Sequence, residues 1–452
     1  MPTRSVRQDI ATRRYLQRHI APGLPECSAE AGPWQHVVVV PAYRESPSLI
    51  ARLSQLPRGS GRTLVILVIN RPDSDLDANT NSALREALGL LPEAPGHRAD
   101  CNLRRAGAHT DIAVLDLESG RGPLPAAQGV GLARKTGADL ALLWMHAGRI
   151  HDNWICNTDA DATLPSSYFA QLASAPDAAV AATFPFVHSA TQDAALNTAT
   201  CVYELRLHYY LRGLEHACSP YAWHSLGSCL AVRKDAYAQV RGFPRRAAAE
   251  DFYLLNKLTK LGEVARLRGA CVRLEARASN RVPFGTGPAV SAITLAAEPD
   301  SARIFEHPMV FEALRVFLRV LPRLCTESKV NVLPHQLSTG GLPAPLALAA
   351  TRALETLKLS QALEHCRRQS RDAESFQRHF HQWFDAFRTL RFLRELGRAG
   401  WPPMTLQALY SQEPVLWPQH KQGDLQALRL ALTQRWGWEP EKCWKPAYQA
   451  HC

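Results

Sequence analysis

The chain has 452 residues, of which 46% are hydrophobic and 21% charged, so a mainly disordered protein is excluded and two domains are expected. The formal net charge of +11 is compatible with phosphorylated substrates, nucleic acid or anionic lipid headgroups as partners. No 18-residue apolar run or signal-like N-terminus occurs, and the 11 cysteines form no CxxC pattern. We therefore expect a cytoplasmic protein with reduced thiols.

The first part of the sequence predicts a parallel α/β unit. Residues 1–20 predict a short basic helix, and a Pro/Gly linker follows up to residue 35. Four consecutive valines at 37–40 and the apolar run 64–69 predict two buried strands, and the amphipathic segment 46–56 between them predicts a helix. Strand, helix and strand at this spacing form a βαβ unit, which implies a parallel sheet.

The rest of the chain alternates similarly until about residue 300 and then becomes helical. Further strands are predicted at 112–117, 154–157, 178–183 and 228–232, and helices at 81–90, 128–136, 191–214 and 250–261. Aromatic residues recur at helical spacing over 371–398, which predicts a helical core; a membrane-surface or acceptor groove is the alternative. We expect an N-terminal helix and linker over 1–35, a catalytic domain over 36–295 and a helical accessory domain over 296–452.

The segment 155–161, ICNTDAD, ends a short apolar run with two aspartates one residue apart. In an extended segment the side chains of Asp159 and Asp161 would point the same way. Two carboxylates side by side suit a divalent cation that keeps some water and binds substrate phosphates, so Mg²⁺ or Mn²⁺ is the expected cofactor. A solvated Asp pair in a loop is the simpler alternative for this motif alone.

A second candidate segment follows the first predicted strand. Pro41, Ala42, Tyr43 and Glu45 lie where the strand turns into a helix, at the sheet edge where open α/β sheets bind ligands. Tyr43 offers a ring face for a base, and Glu45 can accept hydrogen bonds from a ribose or base. The alternative is an ordinary strand-to-helix turn, with Glu45 favoured by the helix dipole.

Three later segments complete the set. In GVGLARKTG, residues 129–137, Arg134 could balance phosphate charge, or it could be an exposed cation on a helix. In AEDFYLL, Glu250 and Asp251 open a predicted helix, where a carboxylate could act as a general base or only satisfy the helix dipole. A Gly-rich loop around Arg281 could close over a diphosphate or be a surface turn.

Taken in order, VVVVPAYRE, GxxxARKTG, NTDAD, GSCLAVRKDA…GF and AEDFYLL resemble a family 2 glycosyltransferase of the GT-A fold over roughly residues 36–290. The resemblance implies a mixed, mostly parallel nucleotide-binding sheet flanked by helices. It also implies that Asp159 and Asp161 hold the metal and donor diphosphate, and that Asp251 is the catalytic base. The positions assigned to the donor are Pro41, Ala42, Tyr43, Glu45, Asn70, Asp73, Arg134 and Arg281, and those assigned to the acceptor side are Gly227, Ser228 and Glu250.

The sequence departs from the family pattern at two places. Arg44 stands where the family usually has Asn, and the second strand ends in Asn70 rather than in paired aspartates, so that Asp73 or Asp75 would have to substitute. The QxxRW motif of processive polysaccharide synthases does not follow Asp251. The resemblance therefore implies non-processive, inverting transfer of a sugar from a nucleotide-diphosphate donor to a hydroxyl of a saccharide, lipid or small molecule.

Two other functions compete with this interpretation. Residues 159–163 also fit the DxDxT motif of haloacid-dehalogenase-type phosphatases, in which the first Asp attacks phosphorus. That motif normally opens its domain, whereas about 120 residues of strand and helix pattern precede it here. A basic module for nucleic acid or anionic membrane is the non-enzymatic alternative. We expect no nucleic-acid partner and leave peripheral contact with the inner face of a membrane open.

Overall fold

The structure, a computed structural model, describes residues 4–276, 286–295, 301–325, 332–411, 416 and 424–440, without the side chains of 4–8, 120 and 121. The strands in these ranges are β1 His36–Ala42, β2 Thr63–Ile69, β3 Leu103–Arg105, β4 Thr110–Asp116, β5 Trp154–Asn157, β6 Ala162–Thr163, β7 Ala181–Thr183, β8 Phe186–Ser189, β9 Leu230–Arg233, β10 Val264–Arg266, β11 Gly269–Ala270, β12 Val272–Glu275 and β13 Trp438–Glu439.

The helices are α1 Arg4–Arg18, α2 Ser48–Ser54, α3 Ser82–Gly89, α4 Leu117–Arg121, α5 Gly129–His146, α6 Tyr168–Ala173, α7 Ala194–His216, α8 Lys234–Gln239, α9 Glu250–Leu258, α10 Thr286–Thr294, α11 Pro308–Val320, α12 Leu333–Thr339, α13 Ala344–Thr356, α14 Leu359–Gln369, α15 Ala373–Trp383, α16 Ala386–Arg398, α17 Leu406–Tyr410 and α18 Leu425–Gln434. Short 3₁₀ turns occupy Gly227–Cys229 and Leu321–Cys325.

The central sheet has eight strands in the order β10-β7-β9-β5-β1-β2-β4-β3. The run β5-β1-β2-β4 is parallel, β9 is antiparallel to both of its neighbours, and β3 is an antiparallel edge. A mixed, mostly parallel sheet flanked by helices, with a helical C-terminal region, was the predicted fold class and is confirmed.

Helix α5 packs directly on strands β1 and β2, which are buried because helices cover the sheet. A Cβ built on Gly137 of α5 would lie 2.5 Å from Cγ1 of Val39 and 2.8 Å from Cγ2 of Val68. Any side chain at residue 137 would push the helix away from the sheet. The glycine therefore fixes how closely α5, and the residues that precede Gly137 on it, approach the strand ends.

Residue contacts divide the chain into two compact units. An α/β unit comprises 1–192, 225–288 and 436–452, and a helical unit comprises 193–224 and 289–435. The α/β unit also contains a three-stranded sheet, β6-β12-β8, and the short pair β11-β13. Helix α7, although it lies between two α/β segments in the sequence, packs with α11 and α18 of the helical unit.

The aromatic stripe over 371–398 contributes to the core of the helical unit, as predicted, and it is divided between α15 and α16. Helix α15 ends at Trp383, because the next residue, Phe384, has a non-helical ψ of 64°. Asp385 then starts α16 by accepting a hydrogen bond from the N–H of Arg388 at 3.1 Å. The break turns both helices onto one core in which Phe317 contacts Phe380 and Phe384.

A buried carboxylate on α5 fixes helix α1 to the rest of the α/β unit. Asp139, on α5, is fully buried and accepts hydrogen bonds from the hydroxyls of Tyr15 at 2.6 Å and Tyr237 at 2.8 Å. Its second oxygen accepts from the Ala21 N–H at 2.7 Å and pairs with Lys135 at 2.8 Å. Lys135 is therefore a buried partner of Asp139.

None of the helices in the described ranges is both long enough and apolar enough to span a lipid bilayer.

Replacing Asp139 by alanine is expected to lower the melting temperature by roughly 5–10 °C, because one partner of a buried ion pair is removed and Lys135 is left without its counter-charge. Differential scanning calorimetry of the full chain measures this change. The matched control is Asp9→Asn on α1, since Asp9 pairs with Arg13 in an exposed position and its loss should change the melting temperature by about 1 °C or less. Equal effects of the two substitutions would contradict the role given to Asp139.

Candidate active site

Four strand ends meet at one edge of the central sheet. Strands β5, β1, β2 and β4 are parallel neighbours, so their carboxyl ends lie side by side. The antiparallel strand β9 starts where β5 ends, because Asn157 pairs with Leu230. The residues after β5, after β1 and before β9 are therefore brought together, and this edge collects most of the predicted site residues.

The Asp pair lies in a turn and not in an extended strand. Strand β5 ends at Asn157, and the N–H of Ala162 donates to the carbonyl of Asp159 at 3.1 Å, the i to i+3 hydrogen bond of a β-turn. The expectation that strand alternation aligns Asp159 and Asp161 is therefore wrong. Both side chains are half-exposed, so both remain accessible to a ligand.

Arg134 joins the two acidic motifs. Its guanidinium is almost fully buried, at 2% exposure of the residue, and its Nε donates to Glu250 at 2.8 Å. Nη2 of the same group pairs with Oδ1 of Asp159, and Nη1 donates to the carbonyl of Thr158 at 3.4 Å. A forked guanidinium is suited to this double bridge, since its planar donors point to two carboxylates at once. Of the two alternatives that the sequence left open for Arg134, the exposed cation on a helix is excluded by this burial.

The two carboxylates at the start of α9, beside Arg134, have raised pKa values. Burial, and then the charge of Asp251, raise the pKa of Glu250, although Arg134 opposes the rise. Burial also raises the pKa of Asp251, and the negative charge of Asp159 raises it further. Against the opposing effect of burial, the pKa of Arg134 is raised by three carboxylates, those of Asp159, Glu250 and Asp251. One guanidinium therefore faces three acidic groups. The site therefore carries more acid than its own cation can neutralise and would favour a cationic ligand.

Asp251 is held in place by backbone donors. Its Oδ1 accepts the N–H of Phe252 at 2.6 Å, and the N–H of Gly227 also hydrogen-bonds to its carboxylate. It is the second residue of α9, and its side chain is less enclosed than that of Glu250. Asp251 is thus oriented and accessible, as a proton acceptor must be. The preceding residue, Ala249, has a φ of 58°, so the helix starts from a conformation that non-glycine residues rarely adopt.

Gly227 is required by the close approach of Arg134. A Cβ at this position would overlap the guanidinium, with Nη2 and Cζ of Arg134 as its nearest atoms. Gly131 has a similar role, because a Cβ there would lie 2.5 Å from the carbonyl oxygen of Pro244. Gly129 and Gly131 of the GVGLARKTG segment therefore allow the backbone of residues 244–247 to approach α5.

The turn after β1 forms a second polar cluster. The hydroxyl of Tyr43 donates to Oδ2 of Asp75 at 2.8 Å, and Nε of Arg44 donates to the same oxygen at 3.2 Å. Thr80 donates to it as well at 3.0 Å. These donors hold the pKa of Asp75 at about 2 against the opposing effect of burial, so the carboxylate is ionised. Arg44 has a φ of 56° and places its guanidinium 5.2 Å from the centroid of the Tyr43 ring.

Of the two acidic candidates after β2, Asp75 and not Asp73 contacts Tyr43. The carboxylate of Asp73 is exposed and accepts the N–H of Ala126 at 2.9 Å, so it closes a loop. Sequence reasoning also missed Asn81, which is fully buried and accepts the Arg44 N–H at 3.1 Å. An amide at the start of a predicted helix was the only available signal, and it is an equally common helix cap.

Several other predicted residues make main-chain contacts. Ala42 is buried at the end of β1, Pro41 is next to it on the strand, and the side-chain amide of Asn70 donates to the carbonyls of Ala42 and Val68, each at 3.2 Å. Ser228 is buried, and its carbonyl accepts the hydroxyl of Thr158 at 3.0 Å.

Glu250, assigned to the acceptor side, is buried against Arg134. Glu45 is half-exposed on the turn after β1. Arg281 lies outside the described residues.

The residues present fit a divalent cation that arrives with a phosphate ligand. The described ranges contain no group of three or more His, Cys, Asp or Glu side chains placed to hold a metal. A cation bound through one or two carboxylates, water and substrate phosphates does not need such a group. Asp161 and Asp159 would be the ligands, and Oδ1 of Asp159 already pairs with Arg134. The excess of acid around Arg134 favours such a cation.

No protein-family model and no curated protein matches this sequence. Among solved structures, residues 1–349 of TarS from S. aureus are 13% identical, with a TM-score of 0.34 over 76% of this chain and 89% of that one. The same fragment in complex with UDP-GlcNAc gives a TM-score of 0.35. The mannosyltransferase PcManGT from Pyrobaculum calidifontis, in complex with GDP-Man and Mn²⁺, is 18% identical, with a TM-score of 0.31 over 85% of this chain and 96% of that one. Similarities at this level do not by themselves establish a function.

Gly227→Ala is expected to displace the Arg134 guanidinium and to lower the melting temperature by roughly 5 °C or more, because the new methyl group occupies the space of a buried ion pair. Gly89→Ala is the matched control, since a Cβ there has no neighbour within 4 Å, and alanine should be neutral or slightly stabilising in a helix. Thermal unfolding of both variants tests this. A Gly227→Ala protein as stable as Gly89→Ala would show that Arg134 is not held as described.

Proposed function

We propose that the chain transfers a sugar from a nucleotide-diphosphate donor to an acceptor hydroxyl, in one inverting displacement with a divalent cation. The observation that carries the proposal is the double bridge of Arg134, which places Asp159 of the DAD turn and Glu250, the neighbour of Asp251, around one guanidinium. A phosphate-binding turn and a candidate base are both needed for this reaction, and here they share one site. The motifs VVVVPAYRE and AEDFYLL support the same conclusion.

Asp251 is the proposed general base. Its carboxylate accepts the proton of the acceptor hydroxyl, whose oxygen attacks the anomeric carbon. The bond from that carbon to the diphosphate oxygen breaks, the nucleoside diphosphate leaves, and the anomeric configuration inverts. The backbone donors from Phe252 and Gly227 hold the carboxylate in one orientation. Its raised pKa makes it a stronger base than an exposed aspartate.

The donor is proposed to lie across the carboxyl edge of the sheet. Asp161, with Asp159, would hold Mg²⁺ or Mn²⁺ together with the diphosphate. The bound cation would neutralise the charge that develops on the departing diphosphate. The ring of Tyr43, whose hydroxyl donates to the ionised Asp75, would offer an aromatic surface to the base at the nucleoside end. Arg134 has a positioning role, because its donors already serve Glu250 and Asp159.

A thermal-shift panel of nucleotide-sugars with and without Mn²⁺ tests the donor site. A donor at about 100 times its dissociation constant adds about 2.7 kcal/mol of stability and should raise the melting temperature by roughly 5 °C or more. The shift should depend on Mn²⁺ and be largely lost in Asp161→Ala. Asp100→Ala is the control, because Asp100 is an exposed partner of Arg98 and is not among the proposed site residues. A shift that Asp161→Ala leaves unchanged would exclude the metal site.

Asp251→Asn should reduce transfer by about 10²–10⁴-fold, because an amide cannot accept the hydroxyl proton. Donor binding should stay close to wild type, since Asp251 is proposed to act on the acceptor. Initial rates with the best donor of the thermal panel, together with the donor-induced shift, separate the two effects. Asp100→Asn should keep the wild-type rate.

The pH dependence of kcat/KM provides the check on this assignment. The base must be ionised, so activity should rise with pH through a pKa above the ordinary aspartate value of about 3.9. Wild-type turnover in Asp251→Asn would refute the base assignment. Release of phosphate from an aryl phosphate, with no use of any nucleotide-sugar, would instead support the phosphatase alternative.

A further inference from the structure

The helical unit contains a cavity that the proposed transfer reaction does not use. Its volume is about 580 Å³, and its walls come from α7, α10, α16 and the segment that leads into α11. All of these elements belong to the helical unit. Cavities of this size enclose drug-sized organic ligands. The walls combine apolar side chains with a basic rim, so the cavity has two chemically different parts.

The interior is apolar. Ile293, Val310 and Leu393 are buried around the cavity, and Tyr203 and Trp401 add aromatic surface. A ligand that fills this space would gain stability mainly from the burial of its own hydrocarbon surface. A small polar metabolite such as a free sugar would leave its hydroxyl groups without hydrogen-bond partners against these walls. The occupant must therefore have a hydrocarbon body.

The rim is basic, and half of its arginines are already paired. Arg206 pairs with Glu306 at 3.2 Å, and Arg398 pairs with Glu395 at 2.6 Å. Arg303 and Arg394 are exposed, and neither has an ion pair or a side-chain hydrogen bond to any residue in the described ranges.

His307 adds no charge to this rim, because burial lowers its pKa and its Nδ1 accepts the N–H of Met309. The free charge at the rim is therefore two guanidinium groups.

Arg303 and Arg394 line the same cavity. Burial raises the pKa of Tyr210, and Glu306, Arg206 and Arg394 also act on it, so Arg394 on α16 lies in the same region as the Arg206–Glu306 pair. Two guanidinium groups beside an apolar cavity match a phosphate attached to a hydrocarbon chain, since arginine donors fit phosphate oxygens in pairs. A single carboxylate would use only part of this charge.

We propose that the cavity binds an amphipathic phosphate ester, with its hydrocarbon chain inside and its phosphate between Arg303 and Arg394. The site belongs to the helical unit alone, so it does not depend on the transfer reaction at the sheet edge. A membrane lipid and a soluble phosphate ester share this chemistry, and the test separates these two sources.

Isothermal titration of the full chain with decyl phosphate, below its micelle concentration, measures the affinity. We expect one molecule to bind per chain, decyl maltoside to bind at least tenfold more weakly, and inorganic phosphate not to bind. The double variant Arg303→Gln with Arg394→Gln should bind decyl phosphate about tenfold or more weakly than the wild type. Arg391→Gln is the matched control, since Arg391 is exposed on α16 and does not line the cavity. Equal affinity for the phosphate and the maltoside would overturn the proposal.

A cavity-filling variant tests where the ligand lies. Ala289→Trp should abolish binding of decyl phosphate while the melting temperature stays within a few degrees of wild type. If that variant fails to fold, Ala292→Phe provides the same test, because Ala292 also lines the cavity and is exposed. Wild-type affinity in a folded cavity-filling variant would place the ligand elsewhere and overturn the proposal.

Sedimentation with vesicles identifies the source. Capture by phosphatidic acid vesicles but not by phosphatidylcholine vesicles, lost in the cavity-filling variant, would support a membrane lipid as the occupant. No capture by either vesicle, with decyl phosphate still bound, would support a soluble phosphate ester. Capture that the cavity-filling variant retains would indicate a surface interaction of the basic rim and would contradict the cavity site.

Discussion

The buried guanidinium of Arg134 is the constraint on which the site depends. It holds Glu250 at the start of α9 and Asp159 after β5 in fixed positions, and Gly227 must lack a side chain to leave room for it. A buried charge without its partners costs several kcal/mol, so this arrangement cannot relax without loss of stability. The sheet determines where the strand ends lie, and Arg134 determines how the acidic side chains at those ends are held.

The excess of acid at this site is costly for folding and useful for binding. Glu250 and Asp251 have raised pKa values because burial disfavours their charged forms, and the charge of a neighbouring carboxylate, Asp251 for Glu250 and Asp159 for Asp251, adds to this effect. A cationic ligand would relieve this repulsion and would therefore be favoured more here than at an isolated Asp pair. Backbone strain is found at the same edge, since Arg44 and Ala249 both have positive φ values. Residues with a strained backbone or a shifted pKa are often found at functional sites.

The sequence predicted the parts of the fold that depend on local pattern. The valine run of β1 and the apolar run of β2 identified buried parallel strands, and the motifs located the edge where Asp159 and Asp251 are found. It could not predict features that depend on distant contacts. Lys135 and Asp139 are only four residues apart on α5, but Tyr15, which contacts both of them and helps to bury the pair, precedes Lys135 by 120 residues. The aromatic periodicity over 371–398 continues through Phe384, so only the capping hydrogen bond of Asp385 reveals two helices.

The central claim is that the acidic turn after β5 and the start of α9 form one donor-binding site. A crystal structure of the protein with Mn²⁺ and a nucleotide-sugar tests it most directly, through the anomalous signal of manganese. The account predicts one manganese peak at coordinating distance from the Asp161 carboxylate, with the donor diphosphate on the same ion and the sugar facing Asp251. A manganese peak and a donor bound away from these carboxylates would contradict it.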